Sequence, residues 1–185
     1  MTDAFAELGL ARSPWVDPAE LKKRYLELAA ACHPDRIDGN ATPLARLNLA
    51  RRTLDNPARR LRHLIDLEFP GFRPAPDPLP DWELAGKIAD LSRQTTIIVE
   101  KSNRATTPLA IALLAGEKES LSSQLATTES RIKKTGCVID EKIRFLARAE
   151  SRPEPATLWE LAAQSAYAEK WLAVVSECRT RLAGG

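Results

Sequence analysis

The residues best suited to chemistry or recognition lie together in Cys32-His33-Pro34-Asp35-Arg36. A thiol beside an imidazole suggests a nucleophile and its base, but adjacent residues at a helix end point in different directions, and no third group that would orient the imidazole is evident. Pro34 disfavours helix at His33 and fixes its own φ angle, so a helix is expected to end here. We therefore predict a loop that displays His33 and Asp35 to a partner, in a protein that is not an enzyme and has no catalytic residue.

Composition argues against a cofactor, a metal or a membrane. The three cysteines show no C-x-x-C spacing and only two histidines are present, so we expect reduced thiols, no standard metal site and no cofactor. The longest apolar runs, such as 109–115, are far shorter than the roughly 20 residues that span a bilayer, and no signal peptide is visible after Met1. A net charge of +2 gives no general attraction for nucleic acid. We therefore expect a cytoplasmic protein with no membrane or nucleic-acid partner.

The rest of the 185-residue chain predicts an all-α protein in two parts. It has only eight glycines and no long hydrophobic–polar alternation, so strands are not expected. Five of the 13 prolines fall within 70–80, where fixed φ angles and missing donors exclude helix. We predict a linker there, between a domain over 1–69 and a helical bundle over 81–185.

Four helices are predicted before the linker. The capping box Asp17-Pro18-Ala19-Glu20 starts a helix that runs to about Cys32, with Lys22 and Lys23 outside its apolar stripe. A short helix over 3–8 precedes it. Two more helices begin near Thr42-Pro43 and at Asn56-Pro57.

Three helices are predicted after the linker, which suggests an antiparallel bundle. The first begins at Asp81. We expect an irregular joint somewhere between Thr106 and Gly116 before the second, since Pro108 could start a helix and Gly116 could end one. The third begins at the capping box 157–160 and repeats apolar residues every seven positions. This repeat is formed by Leu161, Ala168, Val175 and Leu182. Packing within the chain is favoured over an intermolecular coiled coil, since only about three repeats are present.

The first part resembles a J-domain, the module of DnaJ-type co-chaperones. The stretch from Leu21 to Asp35 is similar to helix II and the His-Pro-Asp loop of that family. Leu8-Gly9-Leu10 resembles the close of its first helix, and 47–57 its helix III. The resemblance implies a four-helix domain in which helices II and III are antiparallel.

The resemblance also implies a partner. J-domains bind a DnaK-type ATPase chaperone and stimulate its ATP hydrolysis; the loop aspartate pairs with an arginine of the chaperone, and the basic face of helix II meets an acidic surface. The residues that this assigns to chaperone binding are Lys22, Lys23, Arg24, Leu26, His33, Pro34, Asp35 and Arg36.

The second part resembles HscB, the co-chaperone family of iron–sulfur cluster assembly, whose J-domain is followed by a three-helix bundle that holds the scaffold protein. Residues 59–67 and 158–172 carry this likeness. The family offers its scaffold an acidic and apolar helix, whereas 95–104 here contains one acid and two bases. We expect a client surface of different charge, formed by Ile97, Val99 and Lys101.

Alternative functions stay open at this stage. A structural adaptor or oligomerisation protein with a J-like fold would not need the intact His33-Pro34-Asp35. A second basic cluster could contact nucleic acid or a membrane surface, but without interleaved aromatic residues or a net basic charge an ordinary helix surface is favoured. This cluster is formed by Arg51, Arg52, Arg59, Arg60 and Arg62. His63 is interpreted as a surface or partly buried residue, and Trp82, Trp159 and Trp171 as packing residues.

Overall fold

A computed structural model describes residues 2–31, 41–78, 80–149 and 151–184. Over these residues it contains helices and no strand, which confirms the all-α prediction. The helices are α1 (Ala4–Glu7), α2 (Pro18–Ala31), α3 (Ala41–Asp55), α4 (Pro57–Glu68), α5 (Trp82–Arg104), α6 (Pro108–Arg148) and α7 (Pro155–Gly184).

Side-chain caps begin several of these helices where the sequence places them. Asp3 accepts the Phe5 N–H at the start of α1, and Asn56 accepts the Arg59 N–H at the start of α4, both at 3.0 Å. Asp81 accepts the Leu84 N–H at the start of α5, also at 3.0 Å. These caps satisfy backbone donors that have no partner inside the helix.

One predicted boundary is refined by the structure and another is wrong. The joint after α5 occupies 105–107, at the start of the range in which it was predicted, because Pro108 suits the first helical position and the Thr107 hydroxyl accepts the Ala110 N–H at 3.3 Å. Gly116 therefore lies inside α6. The last helix begins at Pro155, before the predicted capping box, because proline again serves as the first helical residue.

The chain forms two compact units whose limits differ from the predicted domains. The first comprises the described residues up to Pro78 together with those of Ile139–Ser165. The second comprises the described residues from Pro80 to Val138 and those from Ala166 onward. Parts of α6 and α7 thus belong to the first unit, whereas the sequence division assigned all of 81–185 to one bundle. The prolines at 70–80 show where helices stop, and hydrophobic contacts decide which unit later residues join.

The core of the first unit is built around α3, which packs against α1, α2 and α4. Phe5, Leu8, Leu54 and Leu61 are completely buried in it. Residues from α6 and α7 belong to the same cluster: Ile139, Ile143, Leu158, Leu161 and Ala162. Trp159, on α7, packs against this core as predicted.

The core of the second unit is formed by the apolar stripes of α5, α6 and α7. It buries Leu84, Ile88, Leu91, Ile98, Leu121, Leu125, Ile132, Ala168, Val175 and Leu182. Every position of the predicted seven-residue repeat is therefore buried within the chain, one of them, Leu161, in the first unit. Trp171 packs on the second core, but Trp82 is 66% exposed at the first position of α5, so its predicted packing role is wrong.

Candidate functional site

The exposed side of α2 carries most of the described residues that the J-domain resemblance assigns to chaperone binding. Asp17 accepts the Ala19 N–H at 3.0 Å as the helix begins, and Leu21 faces the core. Lys22 and Lys23 are exposed, and Leu26 is 53% exposed. At about 100° of rotation per residue these three lie on one side of α2, so they form a single surface of two ammonium groups and an apolar side chain.

Arg24 lies apart from that surface. It follows Lys22 by two residues, about 200° around the helix, and its guanidinium is 3.6 Å from the Glu27 carboxylate. The three basic residues that were predicted to form one face are all exposed, but the helix brings together only Lys22 and Lys23. We call Lys22, Lys23 and Leu26 the α2 face.

Contacts between α2 and α3 set the orientation of the α2 face. The Tyr25 hydroxyl donates to Oδ1 of Asn48 at 2.7 Å, and the Arg51 guanidinium lies 4.5 Å from the centre of the Tyr25 ring. A hydrogen bond and a cation–π contact on one side chain fix the rotation of α2 about its axis. Arg51, predicted in a basic surface cluster, is thus a packing residue.

His33, Pro34, Asp35 and Arg36 lie outside the described residues. The structure describes α2 to Ala31 and α3 from Ala41. The part of the chaperone site that was predicted at His33-Pro34-Asp35-Arg36 therefore stays a prediction, whereas the part on α2 is described.

Two buried polar residues on α4 hold the first unit together, and sequence analysis missed both. Arg60 was predicted in the surface cluster and His63 as surface or partly buried, yet they are 5% and 6% exposed. Their positions alternate with buried Leu61 and Leu64, which is the apolar pattern of a helix buried on a wide face. That pattern was the available signal.

Arg60 joins three segments of the first unit. Its Nε donates to the Pro14 carbonyl at 2.8 Å, and its Nη1 donates to the Leu54 carbonyl in the last turn of α3. A cation at a helix C-terminus satisfies carbonyls that have no intrahelical partner. Burial lowers the pKa of Arg60, while the charges of Asp140 and Asp55 act in the opposite direction. Arg60 therefore serves as a buried cap for α3.

His63 fixes α1 on α4. Its Nε2 accepts the Ala4 N–H at 2.9 Å, and its ring stacks on Phe5 with the ring centres 5.9 Å apart. Because Nε2 accepts, the imidazole is neutral with its proton on Nδ1. Burial lowers the pKa of His63, which favours this neutral form at pH 7.

A network of ion pairs lies at the surface of the first unit. Arg12 donates to Asp3 and to Glu68, each at 2.8 Å, and Arg152 donates to Glu68 at 2.6 Å. The hydrogen bond from Arg12 is the main cause of the lowered pKa of Glu68. Partial burial of Asp3 favours its neutral form, but hydrogen bonds from Arg12 and from backbone N–H groups outweigh this and lower its pKa.

The predicted client residues do not form one surface. Ile97 is 45% exposed, and Lys101, one turn later on α5, has its Nζ 3.4 Å from Oε2 of Glu117 on α6. Val99 is half-buried and lies about 200° around α5 from Ile97. The helix thus places Ile97 beside Lys101 and separates both from Val99.

The first turns of α6 expose apolar side chains that sequence analysis did not single out as a surface. Leu109, Ile111 and Leu113 are 72%, 55% and 64% exposed. Leu109 and Leu113 are four residues apart and lie on one side of α6, whereas Ile111 lies about 200° around the helix from Leu109. The apolar run 109–115 was the available signal for these exposed side chains, but the sequence left open where the helix begins.

The described residues contain neither a metal-binding group nor a helix that could span a membrane. No group of three or more His, Cys, Asp and Glu side chains there is arranged to hold a metal ion. Among the same residues, none of the helices has the length and apolar character to cross a bilayer. No protein-family model matches the chain.

Proposed function

We propose that this protein is a co-chaperone whose first unit contains a J-domain that binds a DnaK-type chaperone and stimulates its ATP hydrolysis. The observation that carries the proposal is the α2 face, since Lys22, Lys23 and Leu26 are exposed together on the helix that directly precedes His33-Pro34-Asp35. A solvated pair of lysines beside an exposed leucine is suited to an acidic protein surface with an apolar contact at its centre.

The roles of the residues follow from their chemistry. Lys22 and Lys23 would attract the acidic surface of the chaperone, and Leu26 would be buried in the contact. Asp35 would pair with an arginine of the chaperone, with His33 and Arg36 beside it. Charge-assisted contacts of this kind weaken as salt screens them. ATP would be bound and hydrolysed by the partner.

The second unit is proposed to select the client. Ile97 and Lys101 on α5, together with the exposed leucines of α6, give it apolar and basic contact residues. The HscB resemblance suggests an iron–sulfur scaffold protein as one client. The family's acidic motif for that client is replaced here by a segment with Lys101 and Arg104. We therefore propose that the surface with which this protein binds its client is basic instead of acidic.

The decisive experiment is single-turnover ATP hydrolysis by DnaK-type chaperones from the same organism. The wild-type protein is expected to accelerate hydrolysis, and Asp35→Asn to return the rate to that of the chaperone alone. Lys23→Glu is expected to weaken stimulation by about two- to fivefold, and less at high salt, because exposed charge pairs contribute little each. Asp90→Asn and Lys87→Glu are matched controls, since both residues are exposed on α5 in the second unit.

One outcome would leave the alternative in its place. If the wild-type protein stimulates none of these chaperones, the co-chaperone role is wrong and a helical adaptor is favoured. The observation behind that second candidate is the exposed pair Leu109 and Leu113 on one side of α6, which would suit self-association or a protein partner.

A further inference from the structure

Tyr25 connects α2 to α3 at the edge of the α2 face. It follows the buried Leu21 by four residues and the exposed Lys22 by three, so it lies between the core side of α2 and the α2 face. Its own side chain is half-buried. Contacts made by a residue at this border determine the direction in which the α2 face points.

Apolar packing alone leaves the rotation of α2 loosely determined. Among the described residues of α2, Leu21 is the buried one, whereas Tyr25 and Leu28 are partly buried against the same core. Apolar contacts are not directional, so a helix that rests on few of them can turn about its axis at little cost in free energy. Directional contacts are needed to hold one orientation.

Asn48 and Arg51 of α3 provide two such contacts. The Tyr25 hydroxyl donates to Oδ1 of Asn48 at 2.7 Å, and the Arg51 guanidinium lies 4.5 Å from the centre of the Tyr25 ring. Asn48 and Arg51 are three residues apart, so they lie on one side of α3, and both are half-buried. One therefore holds the polar end of the Tyr25 side chain while the other covers a face of its ring.

We propose that Asn48 and Arg51 are positioning residues for chaperone binding, which act through Tyr25 by holding the α2 face in the orientation that the chaperone recognises. The inference rests on the proposed co-chaperone function and requires neither residue to touch the chaperone. The apparent affinity of a partner falls in proportion to the fraction of the protein that has the competent orientation. Loss of either contact should therefore weaken binding.

The test is single-turnover ATP hydrolysis by a DnaK-type chaperone over a range of concentrations of the full-length protein. Asn48→Ala and Arg51→Met are each expected to raise the concentration of half-maximal stimulation about three- to tenfold. The maximal rate should stay within about twofold of wild type, because saturating chaperone selects the competent orientation. Arg51→Lys keeps a cation over the ring and should restore the half-maximal concentration to within about twofold of wild type.

Matched controls separate positioning from charge and from stability. Arg52→Met removes the same charge from the exposed neighbour of Arg51 on α3, and Ile65→Val weakens the buried core on α4. Both are expected to leave the half-maximal concentration within about twofold of wild type. Asn48→Ala changes no charge, so its effect cannot come from a lost attraction between charges. Circular dichroism of every variant checks that the helices are retained.

A double-mutant cycle gives a readout that a purely structural role would not move. Leu26→Ala removes the apolar contact of the α2 face. If Arg51 acts by orienting that face, Arg51→Met should raise the half-maximal concentration by a smaller factor in Leu26→Ala than in the wild type.

The outcomes separate this inference from the function on which it rests. If the wild-type protein stimulates no DnaK-type chaperone, the proposed function is wrong and this inference falls with it. If the wild type stimulates and Arg51→Met behaves as Arg52→Met does, only the positioning role is wrong. The positioning role is also wrong if Arg51→Lys is as weak as Arg51→Met, if the maximal rate falls at an unchanged half-maximal concentration, or if the effects of Arg51→Met and Leu26→Ala simply multiply.

Discussion

The two units bury polar groups in different ways. In the first unit Arg60 and His63 make hydrogen bonds to backbone atoms that are 46 and 59 residues away, on other elements. Among the described residues of the second unit, the buried polar ones are Thr95 and Thr128, whose hydroxyls donate to carbonyls four residues earlier in their own helices. The hydrogen bonds of these buried polar side chains therefore connect different elements in the first unit, whereas in the second unit they stay within single helices.

This difference has a physical consequence for specificity. A buried donor or acceptor costs free energy when it lacks its partner, so the first unit has few alternative packings that satisfy Arg60 and His63. The second unit is held by apolar stripes, which are less directional and tolerate changes that keep volume. A precise arrangement in the first unit suits the proposed chaperone-binding surface on α2.

The largest effect that would test this comparison is expected from Arg60→Met. The substitution keeps most of the side-chain volume but leaves the Pro14 and Leu54 carbonyls buried without their donor. At about 1–3 kcal/mol for each unsatisfied group, we expect a loss of about 2–4 kcal/mol in the free energy of opening of α3 and α4. Hydrogen exchange measured by mass spectrometry reports this helix by helix.

The neighbouring exposed residue provides the control for that experiment. Arg59→Met removes the same charge beside Arg60 and is expected to change the opening free energy by less than about 0.5 kcal/mol. Equal effects from the two variants would show that Arg60 contributes through its charge and not through its buried hydrogen bonds. The proposed difference between the two units would then be wrong.

A smaller effect is expected from His63→Leu. At pH 7.5 the variant leaves the Ala4 N–H without its acceptor, which is expected to cost about 1–3 kcal/mol. Burial lowers the pKa of His63 in the folded protein below the ordinary histidine value of 6.5. Around and below pH 6.5 the unfolded chain therefore binds more protons than the folded protein. The stability of the first unit in the wild type should therefore fall as the pH falls from 7.5 to 5.5.

The pH dependence distinguishes a buried neutral imidazole from simple packing. The fall in stability should be shallower in His63→Leu, with opening free energies of α1 and α4 measured by hydrogen exchange corrected for intrinsic rates. The α5 helix serves as an internal reference in each sample. A variant with an undiminished pH slope would assign the acid sensitivity to other groups.

The smallest effect is expected in the second unit, from Thr128→Val. The Gln124 carbonyl keeps its backbone hydrogen bond when the hydroxyl is lost, so we expect a change within about 1 kcal/mol in thermal or urea unfolding. Thr128→Ser, which keeps the hydroxyl and loses a methyl group, should cost at least as much. A valine variant as damaging as Arg60→Met would show that the second unit also depends on buried polar contacts.

The sequence predicted several features of this fold because they depend on local chemistry. The caps at Asp3, Asn56 and Asp81 were visible as residue types at helix starts. The burial of Leu161, Ala168, Val175 and Leu182 followed from their spacing. The sequence left two boundaries open near the start of α6, because Pro108 and Gly116 offer competing local signals and the apolar residues between them give no polar face from which to read a helical period.

Part of the candidate site could also be predicted locally. Lys22 and Lys23 were assigned to the exposed side of α2 from the apolar stripe opposite them, and both are exposed there. Leu26 was named only through the J-domain resemblance, and it is exposed beside them. Arg24 and Val99 were grouped with residues that lie close in sequence, although the helical rotation separates their side chains. The roles of His33, Pro34, Asp35 and Arg36 stay predictions, because these residues lie outside the described part of the chain.

The sequence by itself determined the helical character of the described chain, most helix limits and the exposed face of α2, since each depends on residues within one or two turns of one another. Only the tertiary structure decided that Arg60 and His63 are buried and that the described residues of 139–165 belong to the first unit. These features require backbone partners tens of residues away, and an arginine or histidine on a helix looks the same in sequence whether or not such a partner lies opposite it.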